Sequence, residues 1–125
     1  MRKTILIGKD KDRELELLAN AATPIRFRDL FHADLLTLLH NAERDDGYDL
    51  TVASEVAPEL AYVMARAADG TDMTQLSVKD YMAWLEQFEP MDFINGVEAI
   101  FNVYFGDMET EVDPKKKGKG KANGS

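Results

Sequence analysis

Apolar and polar residues alternate at the start of the chain and then fall at helical spacing for most of its length. Residues 3–7, Lys-Thr-Ile-Leu-Ile, suit a strand, Gly8 to Asp12 a polar turn, and Arg13 to Leu17 a second strand, so residues 1–18 predict a β-hairpin. A lone hairpin is marginal in water and is expected to lean on helices. The rival reading makes residues 12–21 helical, because Glu, Leu and Ala favour helix.

Thr23-Pro24 predicts a helix start, with Thr23 as N-cap and Pro24 at the first helical position. Ile25, Leu30, Phe31, Leu35, Leu38 and Leu39 then predict one helix with a single buried face, ending before the loop signal Asp45-Asp46-Gly47. Val56, Leu60, Val63, Met64 and Ala67 mark a second helix, closed near Asp69-Gly70. Pro58 lacks an N–H, so that helix is expected to begin within a turn of it or to kink there. Ser77 predicts the cap of a third helix, with Asp80 beside its N-terminus and Val78, Tyr81, Met82, Leu85 and Phe88 on its buried face. Glu89-Pro90 breaks the chain. A fourth helix carries Phe93, Ile94, Val97, Ile100, Phe101 and Tyr104 and is expected to end at Gly106.

Residues 1–106 therefore predict one mainly α domain of about four helices with an N-terminal hairpin. Residues 107–125 change character: an acidic stretch, then the low-complexity run Pro114 to Ser125, which lacks the apolar content to offset ordering entropy and is expected to be disordered. The two parts differ in charge. Residues 1–106 hold 10 Lys/Arg and 19 Asp/Glu, a balance of −9, and residues 107–125 hold 5 Lys and 4 acids, a balance of +1, which together make the formal −8. An acidic body argues against nucleic acid and anionic membranes as partners and favours basic proteins. The absence of cysteine removes thiol catalysis and thiolate metal sites and suits a reducing compartment. The apolar run Ile5 to Ile7 is too short for a signal peptide, and no run is long enough to span a membrane.

No chemical constellation emerges. His32 and His40 are eight residues apart, where a helical metal pair needs four. The few serines, Ser54, Ser77 and Ser125, are read as cap residues or as the terminus, and the glycine-rich phosphate and nucleophile motifs are absent. Asp45, Asp46 and Asp49 form only a faint calcium-loop pattern, because position 12 counted from Asp45 is Val56. No enzyme activity and no cofactor or metal are expected. Binding to other proteins is. Trp84, Phe101 and Phe105 fall at the edges of their helical stripes, where aromatic anchors are common. Arg26 and Arg28 flank Phe27 and are further candidates.

Three segments resemble the tail assembly chaperones of long-tailed (siphovirus-type) bacteriophages and prophages, especially those of low-GC Gram-positive hosts. They are Ala22 to Leu36 (ATPIRFRDLFHADLL), Pro58 to Asp69 (PELAYVMARAAD) and Asp80 to Phe88 (DYMAWLEQF). Pro58 departs from the family, whose corresponding helix is expected to start without a proline. The resemblance implies a helical, self-associating protein that binds the aggregation-prone tape measure protein while tail tube subunits polymerise around it. It also implies action in the host cytoplasm and absence from the finished virion. Such families often make a second, longer product by ribosomal frameshift, whose added domain recruits tube protein. The tail permits this: Lys115-Lys116-Lys117 can be encoded with the slippery heptamer A AAA AAG, and Lys117-Gly118-Lys119 or Lys119-Gly120-Lys121 with G GGA AAG. The alternative reading is an acidic decoy that mimics DNA, or another small phage regulator that binds protein. A decoy calls for carboxylates at phosphate-like spacing on one face.

Overall fold

The structure, a computed structural model, describes residues 1–112 as backbone and residues 1–106 with side chains. The expectations placed on residues 113–125, Lys115 to Lys121 included, lie outside the described residues. Within them the chain is mainly helical with an N-terminal antiparallel hairpin. Strand β1 (Arg2–Ile7) pairs with β2 (Arg13–Leu18), Ile5 opposite Leu15 and Ile7 opposite Arg13. Alternation sends Ile5, Ile7, Leu15 and Leu17 inward and leaves Arg2, Leu6, Glu14 and Glu16 outside. Gly8, at φ +101°, opens the turn in a conformation that suits glycine.

The first long helix of the sequence reading is two helices. Helix α1 (Thr23–Phe31) stops at His32, which is left-handed at φ 57° and donates its backbone N–H to the Arg28 carbonyl. Asp34 then caps α2 (Leu35–Ala42), its carboxylate accepting from the amides of Leu36 and Thr37. An unbroken apolar stripe does not reveal such a break, because two helices against one core keep their buried residues close to the spacing of one. Nor is Thr23 the cap of α1. It is the first helical residue, buried, and its hydroxyl oxygen accepts from the Asn20 amide.

A two-residue ladder, β3 (Glu43–Arg44) with β4 (Gly47–Tyr48), turns the chain into α3 (Leu50–Ala68). Asp49 caps α3 and holds Arg44 at 2.8 Å, so one carboxylate of the faint calcium pattern is already engaged. Pro58 sits inside α3, past its second turn, so of the two expectations, a start within a turn of it or a kink, the start does not hold. The helix is held on nearly every side. Ala53, Ala57, Ala61 and Ala65 are buried on one ridge, and Val56, Leu60, Val63 and Met64 are buried around it. It packs against β2, α1, α2 and the two helices that follow it. A helix enclosed in this way tolerates a proline because packing replaces the missing hydrogen bond. Gly70, at φ +78°, terminates it, with Thr71 N–H returning to the Arg66 carbonyl.

After a 3-10 turn (Met73–Gln75), α4 (Val78–Leu85) begins with a full capping box between Ser77 and Asp80. Its buried face is Tyr81 and Trp84, while Val78 and Met82, expected inside, are outside. Helix α5 (Pro90–Val112) packs against β1 and α3 and runs on past Gly106, where the sequence reading ended it. Buried Asp92 accepts from the Glu89 amide at its start. Among the described residues no helix is long and apolar enough to cross a membrane.

Helix α5 lies so close to β1 that a Cβ on Gly96 would stand 2.6 Å from Cγ2 and 3.1 Å from Cβ of buried Ile7. Ile7 is β-branched and has little freedom to yield. Gly96→Ala gains about 1 kcal/mol of helix propensity but is expected to lose about 1–3 kcal/mol to overpacking. The expected net result is a less stable protein, seen as a lower urea midpoint.

Candidate protein-binding surface

The aromatic residues proposed as surface anchors lie mostly in the core. Trp84 is 9% exposed and sits among Tyr62, Phe88 and Phe93 at centroid distances of 5.1, 4.8 and 5.7 Å. Phe101 is fully buried and meets Tyr48 edge-on at 4.9 Å, tying α5 to the short ladder. Both belong to the fold, which corrects the edge placement given by their helical stripes. Phe105 stays half-buried beside Tyr104.

The apolar side chains that do face outward are others: Leu6, Ile25, Leu36, Leu50, Val78, Met82 and Met91. Ile25, counted as core on the sequence, is 52% exposed on α1. It borders a cleft of about 560 Å³ between α1 and the 3-10 turn, with Leu30, Met73 and Leu76 on its apolar side and Arg26, Asp29, Asp72 and two threonines on its polar side. Arg26 is thus placed in a cleft, and Arg28 is exposed outside it. Among the described residues no carboxylate lies within ion-pair distance of either guanidinium. A cleft with apolar and polar walls in nearly equal measure is a form that accepts an amphipathic segment. The sequence signal that could have found it is weak: Met73 and Leu76 are apolar residues in a loop outside any helical stripe.

No group of three His, Cys, Asp or Glu side chains close enough to hold a metal occurs among the described residues. His32 and His40 are both exposed and lie on the two sides of the α1–α2 break.

One carboxyl is electrostatically unusual. Glu59, on α3, is pushed up to about 7, first by burial and then by repulsion from Glu55 one turn earlier. Tyr81 of α4 is also pushed up, by burial first and then by the charges of Glu59 and Glu55. A carboxyl whose pKa is higher in the folded state than its ordinary 4.5 holds its proton better folded than unfolded. Its stabilising contribution is present below about pH 4.5 and is lost as pH rises through about 7. Glu59→Gln is therefore expected to match the parent protein near pH 5 and to exceed it in stability at pH 8. Urea midpoints measured for both proteins across that range check this. Parallel curves would mean that Glu59 does not titrate in the window.

No protein-family model matches the chain, and neither the curated proteins nor the solved structures contain a match.

Proposed function

We propose that the protein is a tail assembly chaperone of a long-tailed bacteriophage or prophage, which holds the tape measure protein soluble in the host cytoplasm and is left out of the finished virion. One observation carries the reading. The three segments that bear the resemblance contribute α1, the second half of α3, and α4, and they converge on one aromatic cluster. Phe31 of the first segment meets Tyr81 of the third at 4.9 Å. Tyr62 of the second meets Tyr81 at 5.3 Å and Trp84 at 5.1 Å. Patterns that lie far apart in sequence but share contacts belong to one tertiary unit.

Two further properties suit a holdase. The body carries a charge of −9 over residues 1–106, which keeps a complex with an aggregation-prone client in solution. Apolar side chains remain uncovered on several elements, and the α1 cleft, part apolar and part polar, suits an amphipathic helix of a client. In this reading several copies line an elongated client. A longer, frameshifted product of the same gene brings tail tube subunits to it through a linker at Lys115 to Lys121.

The test is co-expression with the long helical protein encoded next to this gene. Ile25→Asp changes an exposed side chain, so it is expected to lower co-purification of that client about tenfold with no change in thermal midpoint. Phe101→Ala is expected to cost about 3–5 kcal/mol and to lose the client only together with the fold. A folded Ile25→Asp protein with full client yield would remove the cleft from the reading, and a genome without such a neighbour would remove the reading itself.

Synonymous recoding of the codons for Lys115 to Lys121 leaves this protein unchanged. It is expected to abolish a minor longer product, visible on an immunoblot against residues 1–106, and to stop tail formation. Normal tails after recoding would refute the frameshift.

A further inference from the structure

Three Asp-Gly or Asn-Gly pairs lie among the described residues: Asp46-Gly47 between β3 and β4, Asp69-Gly70 at the end of α3, and Asn95-Gly96 inside α5. Such pairs share one reaction. The glycine nitrogen, with no side chain beside it, can attack Cγ of the preceding residue and close a five-membered succinimide. The side chain must swing onto that nitrogen, and the amide must leave its hydrogen bond.

The fold treats the three pairs differently. Asp69 is held: its carboxylate accepts from the Thr71 amide at 3.0 Å and from the Thr71 hydroxyl, and it faces Arg66 at 3.0 Å. The Gly70 amide donates to the Ala67 carbonyl at 3.3 Å. Gly96 is buried in the interior of α5, where the helical ladder engages its amide. Asp46 is exposed, and among the described residues its carboxylate has neither a hydrogen bond nor an ion pair. The neighbouring cation Arg44 is taken by Asp49 at 2.8 Å. The turn closes a ladder of two residue pairs, Glu43 with Tyr48 and Arg44 with Gly47. Neither Asp45 nor Asp46 has a positive φ, so the turn is not one of the types whose twist matches the strands. Gly47, at φ +144°, takes up the mismatch, and nothing stands within 4 Å of where its Cβ would be. So short and exposed a ladder opens at low cost, which releases the Gly47 amide.

We propose that Asp46-Gly47 is a site of spontaneous isoaspartate formation, selected by the fold from the three pairs. The Gly47 nitrogen bonds to Cγ of Asp46, and its proton leaves with the carboxyl hydroxyl as water. A water molecule then reopens the ring. Cleavage of the bond from nitrogen to Cγ restores aspartate. Cleavage of the bond from nitrogen to the main-chain carbonyl carbon gives isoaspartate, whose main chain runs through Cβ and Cγ. The net mass is unchanged, and the main chain is one methylene longer. That methylene breaks the Arg44–Gly47 register. The same ladder sets Tyr48 against Phe101 at 4.9 Å and leads into Asp49, the cap of α3, so the change loosens the start of that helix.

The full chain is incubated at neutral pH below its thermal midpoint, sampled over time and digested. Isoaspartyl methyltransferase with labelled S-adenosylmethionine marks the new carboxylates peptide by peptide. Label is expected in the Asp46 peptide and absent from the Asp69 peptide, and the urea midpoint is expected to fall as label rises. Asp46→Glu requires a six-membered ring and is expected to lose the label. Asp46→Asn releases ammonia in place of water. Its peptide is expected to show the mass change of an amide turned to acid, while the Asn95-Gly96 peptide of the same molecules does not. In denaturing urea the Asp69 and Asn95 peptides are expected to react as well, because their protection comes from the fold. No label at Asp46, or label at Asp69 that rises as fast, would overturn the proposal. So would label that survives Asp46→Glu, or Asn95 reacting in step with Asp46→Asn. Asp69 and Asn95 staying inert in urea would remove the fold as the selecting factor. An unchanged urea midpoint at full conversion would overturn the link to α3.

Discussion

The burial of α3 is the constraint on which the other elements depend. Its polar residues, Thr51, Ser54, Glu55, Glu59 and Arg66, share one side, and most of the remaining circumference is apolar and buried. Such a helix is stable only when other elements cover that wide apolar surface, and here the hairpin, α1, α2, α4 and α5 each take a share of it. The alanine ridge at 53, 57, 61 and 65 leaves room for neighbours to approach closely, and the larger residues between fill the spaces they leave. The same enclosure explains why Pro58 can remain inside the helix. Its missing hydrogen bond is offset by contacts that a surface helix would not have.

Around that helix the aromatic residues act as cross-braces. The chain Phe27, Phe31, Tyr81, Tyr62, Trp84, Phe88 and Phe93 runs through α1, α4, α3 and the start of α5 with neighbouring centroids 4.8–5.3 Å apart. Tilted and edge-on arrangements are the favoured ones for such rings. Glu59 lies close enough to this cluster to raise the Tyr81 phenol, so an ionisable group sits against the contacts that join three helices. Outside this scaffold, exposed Ile25 of α1 and Met73 and Leu76 of the loop after α3 border the same cleft.

Local signals in the sequence were reliable where the physics is local. The hairpin was legible from alternation, with its turn marked by Gly8 to Asp12. The Ser77 cap and the Gly70 terminator follow from hydrogen bonds made within four or five residues, and both stand as expected, with Asp80 completing a capping box. The Asp34 cap was equally local and was overlooked, because the apolar stripe from Ile25 to Leu39 suggested one helix and masked the left-handed residue at His32. Placement of the candidate site was much less legible. Trp84 and Phe101 were assigned to stripe edges and are core, while Ile25, Val78 and Met82 were assigned to the core and are exposed.

The sequence by itself determined the class of fold, the acidic character of the body, the hairpin, the Ser77 cap and the Gly70 terminator. Each follows from the composition or from neighbours along the chain. Only the tertiary structure decided which side of each short helix is covered. α1 and α4 span little more than two turns, and over that length several helical faces fit the same apolar residues nearly as well. The choice among them is made by α3 and by the angle at which each helix meets it. That angle depends on contacts between residues far apart in the chain, which no local pattern records.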